Sequence, residues 1–225
     1  MWRLTLAIAA KDLRLVLTRG NGLLQALLLG LLLLFVFSLS QGAGERLSPQ
    51  AAAAVFWVST MFCQVLIFNQ LYALEEVNGA RLGLVLAPAP VQAVWLGKAL
   101  VGMMLLLLAQ AIFLPATIVF LGQNVHTALA QGVAILLLTD VGMCALGSLL
   151  GALAQGQAAR ESLLGIVLFP LLVPLLLAAI SVTALVFGLE TGTESQTWLS
   201  LAVAFDAIFL AAGLWLFGFV YTGEN

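Results

Sequence analysis

The sequence predicts an all-α integral membrane protein: six transmembrane helices preceded by an amphipathic interfacial helix. Composition is the first observation behind that prediction. Of 225 residues, 63% are hydrophobic and 8% charged, against roughly 45–50% and about 25% in soluble domains, so polar surface is too scarce to cover a globule in water. The second is the arrangement of the apolar residues in long runs. Helices close their backbone bonds internally and suit such runs, whereas an outer-membrane barrel is written in short alternating strands. The third is repetition: a bilayer core needs roughly 20 apolar residues of helix, and that template fits six times. A soluble enzyme and a disordered tail are thereby excluded. So is a nucleic-acid binder, because a formal charge of −2 leaves no basic surface to track phosphates.

Residues 2–19 form the first element. At about 100° per residue, Arg3, Ala7, Lys11, Arg14 and Thr18 fall within one arc of about 80°, while leucines, Ile8 and Val16 spread over the rest. This pattern predicts a helix lying on the inner leaflet. Asp12, opposite the basic arc, reads as a flaw in it. Gly20-Asn21-Gly22 then turns the chain into the first span, and spans are expected at 23–40, 51–74, 93–121, 127–154, 162–188 and 197–221. Pro115 is positioned to kink the third. The apolar start, Leu4 to Ala10, is cut short by Lys11 and Asp12 and does not read as a signal peptide. No linker divides the chain, so residues 1–225 are expected to form a single transmembrane domain.

Basic residues are held on the cytoplasmic side. Arg3, Lys11, Arg14, Arg19, Arg81, Lys98 and Arg160 lie at one set of span ends and only Arg46 at the other, which predicts cytoplasmic termini. The longest polar break is the segment 75–92. Glu75, Glu76 and Arg81 stand at the foot of the second span, followed by a short apolar stretch ending at Pro88 and Pro90. A small helix across the cytoplasmic face, seated in a groove of a soluble partner, would carry rigid-body motion into the spans; a plain re-entry loop is the equal alternative.

Chemistry is sparse. The lone Gly-Lys pair, Gly97-Lys98, lacks the flanking residues of a phosphate cradle, so this chain is not expected to hydrolyse ATP. One histidine excludes HExxH, and no serine stands in GxSxG context; no catalytic or metal-ligating set is expected. Cys63 and Cys144 read as core thiols. His126, in the turn after the third span, is a candidate haem contact through its imidazole, set against an ordinary solvated loop residue. Asp140 and Asp206 are the acids placed well inside spans, where a carboxylate is costly and a functional candidate; the alternative is hydrogen bonding to neighbouring helices. Gly147 and Gly151 form a GxxxG that admits close helix packing. Pro170 and Pro174, one turn apart, remove two helix bonds and predict a break or bend in the fifth span.

Two of these features carry a resemblance. The loop Glu75-x-x-x-Gly79, with Pro88 nine residues on and Lys98 ten further, resembles the membrane subunits of ABC-2-type exporters. Adding the Pro170-x-x-x-Pro174 span, opened by Leu168-Phe169 and followed by Leu175-Leu176-Leu177-Ala178-Ala179, makes the chain similar to the cytochrome c maturation B family of haem-exporter permeases. That resemblance implies a non-catalytic subunit in a bacterial inner membrane, working with a second copy of itself, a separate ABC ATPase that binds ATP, haem-handling membrane proteins and a periplasmic haem chaperone. It places Glu75, Glu76, Gly79, Arg81, Leu86 and Pro88 at the ATPase contact, and haem in the wider complex. Asp140, Asp206 and His126 match no position of the family pattern. An ABC-2 permease for a drug, lipid or glycan stays open, as does a proton-coupled carrier using Asp140 and Asp206.

Overall fold

A computed structural model describes residues 1–19, 21–42, 46–77, 79, 83–84, 86, 90–125, 129–155, 160–189 and 195–222. Seven helices make up the described chain: α1 (Trp2–Arg19), α2 (Asn21–Leu39), α3 (Pro49–Val77), α4 (Val91–Phe120), α5 (Leu129–Leu153), α6 (Arg160–Val186) and α7 (Ser195–Thr222). Six are long and apolar enough to cross a membrane. Their ends lie within three residues of the expected spans, because the bilayer imposes helix length far more strictly than water does.

Two helices form the centre. In the most apolar windows, 72% of α3 and 67% of α5 is buried, against 22% for α2 and α7. Around them, α3 packs on α2, α4, α5 and α6, whereas α5 packs on α4, α6 and α7. The remaining helix, α1, lies mainly along α4.

Aromatic side chains and small residues make the α3–α5 contact. Phe68 fills the space over Gly147 and Tyr72 the space over Gly151, where an added Cβ would meet each ring at 2.5 Å. The GxxxG therefore admits rings rather than a second backbone. Tyr72 also donates its hydroxyl to the Ser148 carbonyl at 2.6 Å, and Gln64 donates to the Met143 carbonyl.

The paired prolines do not break their span. α6 is one continuous helix through Pro170 and Pro174, so of the expected break or bend the break does not occur. On both sides of the prolines the helix packs against α3. Phe62 of α3 meets Phe169 edge-on at 5.4 Å, and Trp57 of α3 donates to the Thr183 hydroxyl at 2.9 Å. Between them, Leu168, Leu172, Leu175, Ala178 and Ala179 bury one helix face. Helix α4 likewise continues through Pro115.

The two ends of the bundle differ. At one, Ser38 donates to the Phe120 carbonyl at 2.7 Å and Gln123 to the Leu47 carbonyl at 2.9 Å, with the Arg46 side chain lying over Gly122. At the other, α1, the foot of α3, the first turns of α4 and the end of α7 converge on a group of buried charges.

Candidate functional site: a buried ion cluster beside the 75–92 segment

Lys98 lies two turns into α4 and its side chain is 0% exposed. An ammonium withdrawn from water needs compensating charge and hydrogen bonds; two other helices supply them and a third braces one of the acids. Glu75 from the foot of α3 approaches its Nζ at 2.9 Å, and Asp12 from α1 at 3.3 Å. The ammonium also donates to the Leu71 carbonyl at 3.1 Å and sits 4.5 Å from the centre of the Tyr72 ring, within cation–π range. From α7, the Tyr221 hydroxyl donates to Glu75 at 3.3 Å. Lys11 completes the group, 2.9 Å from Asp12 and 4.0 Å from Glu75.

Asp12 is therefore no flaw in α1. The helix turns Thr5, Ile8, Ala9, Asp12 and Val16 to the bundle, an arc opposite the basic stripe, and leaves Arg3, Leu6, Arg14 and Leu17 outside. Asp12 is the polar member of the packing face, put there to meet Lys98.

Residues of the 75–92 segment separate into two sets. Glu75 is 2% exposed and faces inward, whereas Glu76 next to it is exposed. Gly79 follows α3 in a turn at φ +63°, with open space where a side chain would be, a conformation that costs glycine nothing. Gly83, Leu84 and Leu86 have helical backbone, and Leu86 is 76% exposed. Arg81 and Pro88 lie outside the described residues, as does His126.

The two membrane-embedded acids occupy different interfaces. Gln110 of α4 donates to Asp140 of α5 at 2.7 Å. Asp206 of α7 lies against Gly142, where a Cβ would collide with its carboxylate and with Leu175. Two residues apart on a helix means roughly 200° of rotation, so Asp140 and Gly142 face different neighbours. The structure does not gather Asp140 and Asp206 into one site.

Sequence reasoning missed the ion cluster. Part of the signal was present: Asp12 is the one acid of a helix otherwise charged only by bases, and Lys98 is a single charge in an otherwise apolar run, and charges near or within the membrane pair with one another.

Helix-to-helix packing, interhelical hydrogen bonds and one compensated charge cluster are what this chain offers; among the described residues, no group of three or more His, Cys, Asp or Glu is placed to hold a metal. With six helices long and apolar enough to cross a membrane, such a molecule is a multi-pass membrane protein. Residues 3–219 match the CcmB protein family, and the chain belongs to it. It is also similar to heme exporter protein B of Haemophilus influenzae, 27% identical over 177 residues that cover 79% of this chain and 80% of that protein.

Proposed function

We propose that this chain is the permease subunit of an ABC exporter serving cytochrome c biogenesis, driven by a separate ATPase that docks on the cytoplasmic 75–92 segment. Family membership supports the haem-export role. The observation that carries the docking reading is Leu86, an apolar side chain 76% exposed on helical backbone between two spans, beside a foot whose Glu75 is anchored in the bundle. A docked partner would cover this side chain, and the anchor gives motion of that surface a rigid route inward.

In this reading Glu76, Gly79, Arg81, Leu86 and Pro88 face the ATPase, and Glu75 transmits. Both termini are cytoplasmic, the membrane is a bacterial inner membrane, and the complex holds a second copy of the chain, haem-handling membrane proteins and a periplasmic haem chaperone. ATP binds the partner, and its hydrolysis is coupled to haem export or to release of the loaded chaperone.

Deleting the chain in its own bacterium tests the role. Membranes stained for covalently bound haem should lose their c-type cytochromes and regain them on complementation. Normal cytochromes in the deletion strain would remove the haem role and leave a permease for another cargo.

A further inference from the structure

Four formal charges close a ring at this end of the bundle. Its edges are Lys11–Asp12 at 2.9 Å, Asp12–Lys98 at 3.3 Å, Lys98–Glu75 at 2.9 Å and Glu75–Lys11 at 4.0 Å. The formal charges sum to zero, and the two cations differ in surroundings: Lys98 is enclosed, whereas Lys11 is 41% exposed at the rim. Glu75 thus has a close partner inside and a more distant one toward the cytoplasm.

This geometry gives the foot of α3 two electrically compensated seats. If Glu75 moves outward, its edge to Lys98 lengthens as its edge to Lys11 shortens, and Asp12 stays between the two ammonium groups throughout. An isolated Lys98–Glu75 pair has no such second seat. Pulling it apart would strand a buried charge. An apolar joint would offer only one packed position, because close-packed interfaces adopt discrete arrangements rather than deforming smoothly.

We propose that Lys11 and Lys98 are positioning residues for energy coupling, between which Glu75 is exchanged when the partner ATPase displaces the 75–92 segment. The exchange rests on the permease reading above. Through Asp12 it obliges α1 to follow the foot of α3, and through Tyr221 it engages α7.

The test uses the complete complex purified from native membranes, carrying Lys11→Met or Lys11→Arg. Three quantities are read: ATPase co-purification, melting temperature, and the yield of covalently haem-bearing cytochromes in the cells of origin. With Lys11→Met, co-purification should stay at the wild-type value and the melting temperature should fall less than with Lys98→Met, because Lys11 is 41% exposed at the rim and Lys98 still faces both carboxylates. Cytochrome yield should fall at least about fivefold, the lower range of a coupling effect, and Lys11→Arg should restore it. Wild-type yield with Lys11→Met would overturn the exchange, as would a loss with Lys11→Met that Lys11→Arg fails to rescue. Loss of co-purification with Lys11→Met would also overturn it, making Lys11 a docking residue. Failure of the unmodified chain to bring down any ATPase is a separate result: it removes the permease reading on which the exchange rests.

Discussion

Glu75 and Tyr221 meet at 3.3 Å although 146 residues separate them, so the last helix of the chain is tied to the foot of the second span. The same carboxylate holds Lys98, and through it α1 and α4. One residue thereby links four helices at the end of the bundle from which the 75–92 segment departs.

Removing the ammonium should be far worse than removing the whole cluster. Lys98→Met leaves the enclosed Asp12 and Glu75 with only Lys11 at the rim and should cost about 3–5 kcal/mol, whereas Asp12→Asn, Glu75→Gln and Lys98→Met together should recover most of that loss. Thermal unfolding of the detergent-purified protein, followed by tryptophan fluorescence, reads both. Equal destabilisation by the single and triple variants would show that Lys98 contributes through packing rather than charge.

Close contact between α3 and α5 depends on missing side chains. Gly151→Leu should drive into the Tyr72 ring and destabilise by about 1–3 kcal/mol, the range for overpacking. Gly218→Ala, at a helical position with nothing within 4 Å of its added Cβ, should be neutral or stabilising by up to about 1 kcal/mol. The same melts compare the two, and a harmless Gly151→Leu would place the rings elsewhere.

The pair Gln110 and Asp140 should behave as a unit. Gln110→Leu leaves the buried carboxyl without its donor and should cost about 1–3 kcal/mol. Adding Asp140→Leu should then cost less than it does alone, giving a coupling energy of about 0.5–3 kcal/mol in a double-mutant cycle. Strict additivity would mean that the 2.7 Å contact contributes nothing to the fold.

Most of the architecture was legible because the bilayer writes it into the sequence. Helix number, length and order follow from apolar runs, and α1 from its basic stripe. The ion cluster was not legible as a unit, since residues 12, 75, 98 and 221 are joined only by the packing of four helices. Read along α1, Asp12 looks like an error; read across the bundle, it is the partner of a buried lysine. Lys98 shows the same shift in meaning. Counted with the bases that orient the chain, it owes its position to two carboxylates rather than to the cytoplasm. At Pro170 and Pro174 the loss of local bonds does not end the helix, whose flanks pack against α3 in a way no span reveals on its own.

The docking surface should be separable from the anchor. Glu75→Ala disturbs the buried cluster, so the informative changes are Leu86→Asp and the pair Glu76→Ala with Pro88→Ala. Leu86→Asp should weaken ATPase binding about tenfold or more, equivalent to about 1.4 kcal/mol, while the chain still inserts in the membrane and melts normally. Undiminished ATPase binding by both variants would move the docking surface away from this segment.

The central claim is that this chain is driven by another. Purifying it from its native membrane, identifying the proteins that accompany it and assaying ATP hydrolysis tests that claim most directly. The account predicts an ABC ATPase in stoichiometric amount, with hydrolysis that falls when Leu86→Asp releases it. A chain that purifies without any ATPase, yet still restores c-type cytochromes to the deletion strain, would contradict it.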